Sequence, residues 1–273
     1  MTWFSLRVEP ASYRDEALAA LFAAGAQGVQ EDGAALVTHF PDEVEARAAA
    51  QAMEVAAPQA RCVIAPAADV DWSTAWRMSA RVVPVGRLSI APPWLAGDLE
   101  SARTVVIDPG MAFGTGDHAS TRGALRLLEQ AVQPGMAVAD LGSGSAILSI
   151  AAARLGAARA WAIESDPDAQ GNAVENVARN GVGGVVHLLD GDATVLLPLV
   201  APVDLIVANI LSSVIVDLLP SMAAALRPAG RAILAGIMLS ERPAMIDVLA
   251  VSGWRVLRED VEEVWWSVLV DRS

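Results

Sequence analysis

The feature that most constrains the fold is a strand that runs into a glycine turn and then into a helix. Residues 136–157 read MAVADLGSGSAILSIAAARLGA, in which an apolar strand ends at Asp140 and a helix begins near Ala146. Gly142 and Gly144 let the backbone approach a ligand, and the start of the helix offers free N–H groups to it. Strands alternate with helices from Thr121 onward, which is typical of a parallel, doubly wound α/β sheet.

Three common uses of glycine-rich turns do not fit this chain. A dinucleotide-binding turn favours a third glycine at position 147, but this chain has Ile147 there. A nucleophile elbow needs a serine with a glycine two residues away on either side, and neither Ser143 nor Ser145 has that spacing. A phosphate loop needs a lysine after its last glycine, but Gly116 is followed by Asp117. All 19 basic residues are arginine, so lysine-dependent Schiff-base and pyridoxal chemistry are excluded as well.

Polar side chains occur where successive predicted strands end. There are four of them: Asp140, Glu164, Asp192 and Asn209. The carboxyl ends of parallel strands form the ligand-binding rim of an open α/β sheet, and an acid at the end of the second strand can accept hydrogen bonds from ribose hydroxyls. We interpret the four residues as a ligand site rather than as helix caps. Asp166, which precedes Pro167, is instead predicted to cap the next helix.

The N-terminal residues 1–67 follow a different order: strand, helix, strand, strand, helix, strand. This order is typical of a ferredoxin-like α+β domain. Through Asp69 the segment holds ten acidic and four basic residues, which indicates an acidic surface suited to recognition. Residues 68–107 include Trp72, Trp76 and Trp94, and we interpret them as an ordered joint because tryptophans seldom stay exposed.

The α/β domain is predicted to span residues 108–273 and to end in a hairpin. Its last two strands, WRVLRED and VWWSVLVD, are separated by a short acidic turn. Strands joined by so short a turn must pair antiparallel. We therefore expect the last strand to run antiparallel to its neighbour.

Charge and cysteine content narrow the possible partners. The formal net charge of −13 disfavours a free nucleic acid and suits a basic protein partner. The single cysteine, Cys62, excludes an internal disulfide and a thiolate metal cluster, and it is expected to be buried and structural. Apolar stretches are broken well short of the roughly 20 residues that a membrane span needs, so we expect a cytoplasmic protein.

Several motifs together resemble a known family. The DxGxG turn, the acid after the second strand, GDA after the third and ANIL after the fourth resemble class I S-adenosylmethionine-dependent methyltransferases. The stretch DPGMAFGTGDHASTR at residues 108–122, with DWSTAWR, GRLSIAPPW and the terminal GW…EEVWWSVLV, resembles the PrmA family, which methylates ribosomal protein eleven of the large subunit. The resemblance covers essentially the whole chain. It implies a seven-stranded methyltransferase sheet that is parallel except for one antiparallel strand at its edge. It also implies an N-terminal domain that binds the target.

The same resemblance implies the cofactor, the partner and the site. The methyl donor would be S-adenosylmethionine, and no metal would be needed. The substrate would be that ribosomal protein. The enzyme would be a monomer that binds neither free nucleic acid nor a membrane. The stretch 108–122 would act as a lid over the donor. The donor-binding residues would be Phe113, Gly114, Thr115, Gly116, Thr121, Asp140, Gly142, Gly144, Glu164, Asp192, Ala193 and Asn209.

Two residues are candidates for roles in methyl transfer. Asn209 would orient the reactants, and His118 is a candidate base, with a hydrogen-bonding role as the alternative. The chain reads NIL at residues 209–211, where methyltransferases of planar nitrogens tend to have Asn-Pro-Pro-aromatic. The absence of the prolines and the aromatic ring suits an aliphatic amine as substrate. Lysine or N-terminal amines are therefore the expected targets. The chain departs from the family at Ala146, usually Gly, and at residues 117–121, usually Thr-His-Pro-Thr-Thr.

Two alternative functions stay open at this point. The first is a methyltransferase that acts on RNA or on a small molecule, which tight and salt-sensitive RNA binding would favour. The second is a non-catalytic module that only binds S-adenosylmethionine, which an absence of turnover would favour.

Overall fold

A computed structural model describes residues 3–9, 14–26, 28–33, 35–67, 80–108 and 116–272. Contacts divide the chain into two compact units, Met1–Ala80 and Arg81–Ser273. Within the described ranges, no helix is both long and apolar enough to cross a membrane.

The first unit is a four-stranded sheet with two helices. Its elements are β1 (Phe4–Glu9), α1 (Arg14–Ala23), β2 (Gln30–Asp32), β3 (Ala35–Phe40), α2 (Glu43–Ala56) and β4 (Arg61–Pro66). The antiparallel order β2-β3-β1-β4 is the predicted ferredoxin-like arrangement. Alternate residues of β1, Leu6 and Val8, are fully buried against the helices, with Met53 of α2 in the same core. Cys62, expected to be buried, is only partly buried, and burial raises the pKa of its thiol.

The second unit contains a small sheet and a large one. The small sheet consists of β5 (Val83–Val85), β6 (Leu88–Ala91) and β7 (Thr104–Val106). The elements that follow are α3 (Ala119–Ala131), β8 (Ala137–Leu141), α4 (Ile147–Arg154), β9 (Arg159–Glu164), α5 (Pro167–Arg179), β10 (Val186–Asp190), α6 (Ala193–Val200), β11 (Val203–Asn209), α7 (Ser212–Ala225), β12 (Leu226–Met238), α8 (Arg242–Val251), β13 (Trp254–Glu262) and β14 (Trp265–Arg272).

The large sheet has seven strands in the order β10-β9-β8-β11-β12-β14-β13. The central strands β8, β11 and β14 are covered on both faces, which is why most of their residues are buried. One core contains buried residues of α3, α4 and α5, and the other contains buried residues of α6, α7 and α8. This is the doubly wound α/β sheet predicted from the sequence.

The position of the last strand corrects the sequence prediction. β14 pairs antiparallel with β12 and with β13, so it lies one place in from the edge and β13 is the edge strand. Burial explains the order, because Trp266, Val268 and Val270 of β14 are fully buried while most of β13 is exposed or half-buried. The more apolar strand of the hairpin takes the inner position.

The segment predicted as a joint falls partly within the second unit. The contact division lies between residues 80 and 81, not at 107 and 108, and strands β5 to β7 belong to the second unit. Trp72 and Trp76 lie outside the described residues, and Trp94 keeps 37% of its surface exposed. The functional division into segments 1–67, 68–107 and 108–273 stays a prediction.

Candidate active site

A cavity of about 880 Å³ opens at the carboxyl ends of the parallel strands. Residues at or just after the ends of β8, β9, β10 and β11 line it, together with one face of α7. His118 and Trp265 line it as well. This is the location at which open α/β sheets bind their ligands.

The glycine turn after β8 forms one wall of the cavity. Gly142 and Gly144 adopt positive φ angles of +68° and +51°, and a Cβ on Gly142 would lie 2.3 Å from Cγ2 of Ile210. The turn is anchored because the N–H groups of Gly142 and Ser143 both donate to the carbonyl oxygen of Ile163, at 2.9 and 3.1 Å. The two glycines therefore keep the backbone itself at the cavity surface.

Glu164 stands beside this turn with its carboxylate fixed by backbone groups. Oε2 accepts from the N–H of Gly144 at 2.8 Å, and Oε1 accepts from those of Ser165 and Asp166 at 2.8 and 2.9 Å. Both lone pairs of Oε1 are occupied, but Oε2 has a further lone pair and can still accept from a hydroxyl donor in the cavity. The geometry suits the ribose-binding role predicted for it.

Asp140 lies beneath the turn and does not line the cavity. Its side chain is fully buried, and Oδ2 accepts from the backbone N–H and the hydroxyl of Ser149 at 3.0 and 2.8 Å. Oδ1 has no hydrogen-bond partner among the described residues. Burial raises the pKa of this carboxyl to about 7, although both hydrogen bonds from Ser149 oppose the shift. Asp140 therefore fixes the start of α4, and direct contact with a donor stays a prediction.

Asp192 caps helix α6. This finding corrects the sequence interpretation, in which the four strand-end residues were ligand-binding residues and not helix caps. Its Oδ1 accepts from the N–H of Thr194 at 2.6 Å and from the Thr194 hydroxyl, because the chain passes directly from β10 into α6. Asp192 and Ala193 nevertheless line the cavity. Asp166 caps α5 as predicted, accepting from the N–H of Asp168 at 2.9 Å.

Asn209, at the end of β11, presents an unpaired oxygen. Its Nδ2 donates to Oγ1 of Thr121 at 3.2 Å, whereas its buried Oδ1 has no partner among the described residues. Thr121 is itself fully buried in α3 and does not line the cavity, so it positions Asn209. Ser143 also lines the cavity with a buried hydroxyl that lacks a partner in the described part of the chain. Two polar groups in the wall are thus available to a ligand.

His118 begins α3 at the cavity wall. Its Nδ1 lies 2.7 Å from Oγ of Ser120, and its ring meets the Trp265 ring edge-on, with the centroids 4.7 Å apart. Gly116, at φ +89°, packs against Ile90 and does not line the cavity. The predicted donor-binding residues Phe113, Gly114 and Thr115 lie outside the described residues.

The sequence interpretation missed part of the wall. The missed residues include Ser143, Ile210, Leu211, Val214, Asp217, Leu218, Gly236 and Trp265. Val214, Asp217 and Leu218 are spaced three and four residues apart, so their common helix face was a usable signal. Trp265 offered no such signal, because only the tertiary fold brings β14 to the cavity.

The charge of the lining has one sign. Four carboxylates line the cavity, namely Glu164, Asp166, Asp192 and Asp217, and no arginine does so among the described residues. Among those same residues, no group of three or more His, Cys, Asp or Glu side chains could hold a metal ion. The lining therefore favours a cationic ligand over a phosphate.

The sheet order and the cavity at its carboxyl rim define an α/β protein of the class I methyltransferase type. The family described as Ribosomal protein L11 methyltransferase (PrmA) matches residues 3–273. The chain therefore belongs to the PrmA family.

Individual relatives agree with this assignment. A ribosomal protein L11 methyltransferase of Pelotomaculum thermopropionicum is 40% identical over 222 residues, covering 78% of this chain and 71% of that protein. The protein of the same name from Thermus thermophilus is 36% identical over 251 residues, covering 92% of each. The crystal structure of a ribosomal protein L11 methylase from Lactobacillus delbrueckii subsp. bulgaricus matches with a TM-score of 0.63 and 31% identity, covering 70% of this chain and 98% of that one.

Proposed function

We propose that this protein transfers methyl groups from S-adenosylmethionine to lysine side chains or the N-terminal amine of ribosomal protein L11. The observation that carries the proposal is the cavity at the carboxyl rim, with four carboxylates and no arginine among its described lining residues. Such a lining suits a sulfonium donor and a basic acceptor, and it disfavours dinucleotides and nucleic acid. Membership of the PrmA family supports L11 as the target.

The residues at the cavity fit the donor. Glu164 Oε2 would accept from a ribose hydroxyl, and the turn at Gly142 and Gly144 allows close approach of the donor to the backbone. The unpaired Ser143 hydroxyl and Asn209 Oδ1 offer further polar contacts. When bound, S-adenosylmethionine supplies a methyl group activated by the sulfonium leaving group.

The other end of the cavity fits an aliphatic amine. A lysine amine has a reference pKa of about 10.4, and desolvation lowers it and frees the lone pair. Leu211 and Val214, which are 71% and 41% exposed, line the cavity with the half-buried Trp265, so an amine that enters passes an apolar wall. The methylene stem of a lysine can pack against the same side chains.

Methyl transfer then requires alignment above all. Asn209 Oδ1 can accept an N–H of the amine and direct its lone pair at the methyl carbon. The nitrogen–carbon bond forms as the carbon–sulfur bond breaks, and the electron pair of that bond stays on sulfur. Before the attack, the ammonium form of the amine loses one proton to His118, the candidate base at the cavity wall, and His118 then releases it to water.

Mass spectrometry tests the proposal. Purified L11 is incubated with the enzyme and S-adenosylmethionine, and mass gains in 14-dalton steps on lysines or the N-terminus are expected. Because the enzyme contains no lysine, its own side chains contribute no methyl-lysine background. The Asn209→Ala variant serves as the control and is expected to lose most of the gain. An unchanged L11 mass, with methyl groups found in RNA or a metabolite, contradicts the proposed substrate.

A further inference from the structure

Three asparagines, two in α5 and one at its C-cap, hold the end of β7 and the residues just after it. Asn180 accepts from the N–H of Val106 at 2.9 Å and donates to its carbonyl oxygen at 2.6 Å. Asn176 accepts from the N–H of Asp108 at 2.9 Å, and Asn172 donates to the carbonyl oxygen of Asp108 at 3.2 Å. Because residues four apart share a helix face, the three amides pair with this backbone much as a neighbouring strand does.

Asn176 makes an additional contact with the turn at the cavity. Its Nδ2 donates to the carbonyl oxygen of Ser145 at 3.2 Å, and the whole residue is fully buried. Ser145 stands between Gly144, whose N–H is held by Glu164, and Ala146, whose φ is +64°. Left-handed backbone is disfavoured for alanine, so this part of the turn is under conformational strain.

We propose that Asn176 is a positioning residue for the methyl donor, an inference that rests on the proposed function. Glu164 holds the glycine turn from one side and the Asn176 amide holds it from the other. Without the bond to Ser145, the strained residue Ala146 relaxes and Gly144 leaves its position beside Glu164. Asn176 thus acts on donor binding through the turn and does not contact the cavity itself.

Asn180 provides a matched control for this role. It is also buried, lies one helical turn from Asn176 and binds the same segment, but its side-chain amide bonds to Val106 and Asn176 and not to the glycine turn. Both Asn176→Ala and Asn180→Ala are expected to lower the urea midpoint of unfolding. Only Asn176→Ala is expected to weaken S-adenosylmethionine binding, by about 10-fold, the worth of one buried hydrogen bond.

The binding measurement is isothermal titration of the full chain with S-adenosylmethionine, at a temperature where circular dichroism shows every variant folded. A dissociation constant raised about 10-fold in Asn176→Ala, with Asn180→Ala within about 2-fold of wild type, supports the positioning role. Equal weakening in both variants, or none in Asn176→Ala, overturns it.

A milder variant keeps the inference testable if Asn176→Ala does not fold. Asn172 is only half-buried, and its Oδ1 accepts from Asn176 Nδ2 at 3.1 Å. Asn172→Ala leaves Asn176 less constrained, so a rise of about 2-fold to 3-fold in the dissociation constant supports the role and an unchanged constant overturns it. A wild-type chain that binds no S-adenosylmethionine refutes the proposed function and this inference together, whereas wild-type binding that Asn176→Ala leaves intact refutes this inference alone.

Discussion

Replacing Asp140 by asparagine is expected to remove a pH dependence from the stability of the second unit. The carboxyl is fully buried, one of its oxygens has no partner among the described residues, and burial raises its pKa from 3.8 to about 7. Between these two values the folded state holds a proton that the unfolded state has released. Wild-type stability therefore falls as pH rises through this window, because a buried neutral acid must become a buried charge.

The magnitude follows from the two pKa values. At pH 5 the unfolded carboxyl is already ionised, while the folded one ionises about two pH units higher. At 1.36 kcal/mol per unit, the free energy of unfolding of the wild type falls by about 2.7 kcal/mol relative to Asp140→Asn between pH 5 and pH 8.5. The new amide leaves an unpaired N–H in place of Oδ1, which costs about 1–3 kcal/mol at every pH. The change with pH, not the absolute stability, is therefore the diagnostic quantity.

Urea unfolding at the two pH values gives this quantity. Near-ultraviolet circular dichroism reports on the second unit through its buried Trp254 and Trp266. Ser149→Ala is the companion variant, because it removes a hydrogen bond that favours the charged carboxylate. Its cost is expected to be larger at pH 8.5 than at pH 5. Parallel stability curves for the wild type and Asp140→Asn would show that Asp140 is ionised across the whole range and refute the argument.

Three further predictions concern other residues. Glu164→Gln is expected to weaken S-adenosylmethionine binding by about 10-fold or more in calorimetric titration, since one oxygen becomes an amide donor; unchanged affinity would refute the ribose role. Arg126→Met is expected to cost about 1–2 kcal/mol in urea unfolding, because the partly buried arginine bonds to Asp260; a loss below 0.5 kcal/mol would contradict this. Ala229→Gly is expected to raise the free energy of unfolding by about 0.5–1 kcal/mol in urea unfolding, because glycine relieves the strain of φ +64°. Ala146→Gly is expected to raise it less, because this change also deletes a buried methyl group, and equal gains would contradict the burial argument.

The parts of the site that the sequence predicted are those tied to strand ends. Glu164 and Asn209 terminate parallel strands, and the alternation of strands with helices is enough to bring such termini to one rim. The cap role of Asp192 was missed because it depends on the length of the connection between β10 and α6. Only Gly191 lies between the end of β10 and Asp192, which puts Asp192 at the start of α6.

Contacts between distant segments could not be predicted. Thr121 and Asn209 are 88 residues apart, and their hydrogen bond depends on how α3 packs against the sheet. The inner position of β14 likewise reflects which strand of the hairpin buries more apolar surface, a comparison that the hairpin pattern alone does not make. Local periodicity therefore predicted the helices and strands, whereas the order of the strands in the sheet depends on which side chains are buried.

Because β14 lies inside the sheet, this one strand contributes both to the core and to the cavity wall. A chain that stops before residue 265 leaves β12 with a row of unpaired N–H and C=O groups, which is a template for pairing with another molecule. The same chain lacks Trp265 at the cavity and Trp266 in the core. Truncated or nicked molecules are therefore prone to aggregate rather than to persist as partly active enzyme, so misfolding and loss of activity occur together.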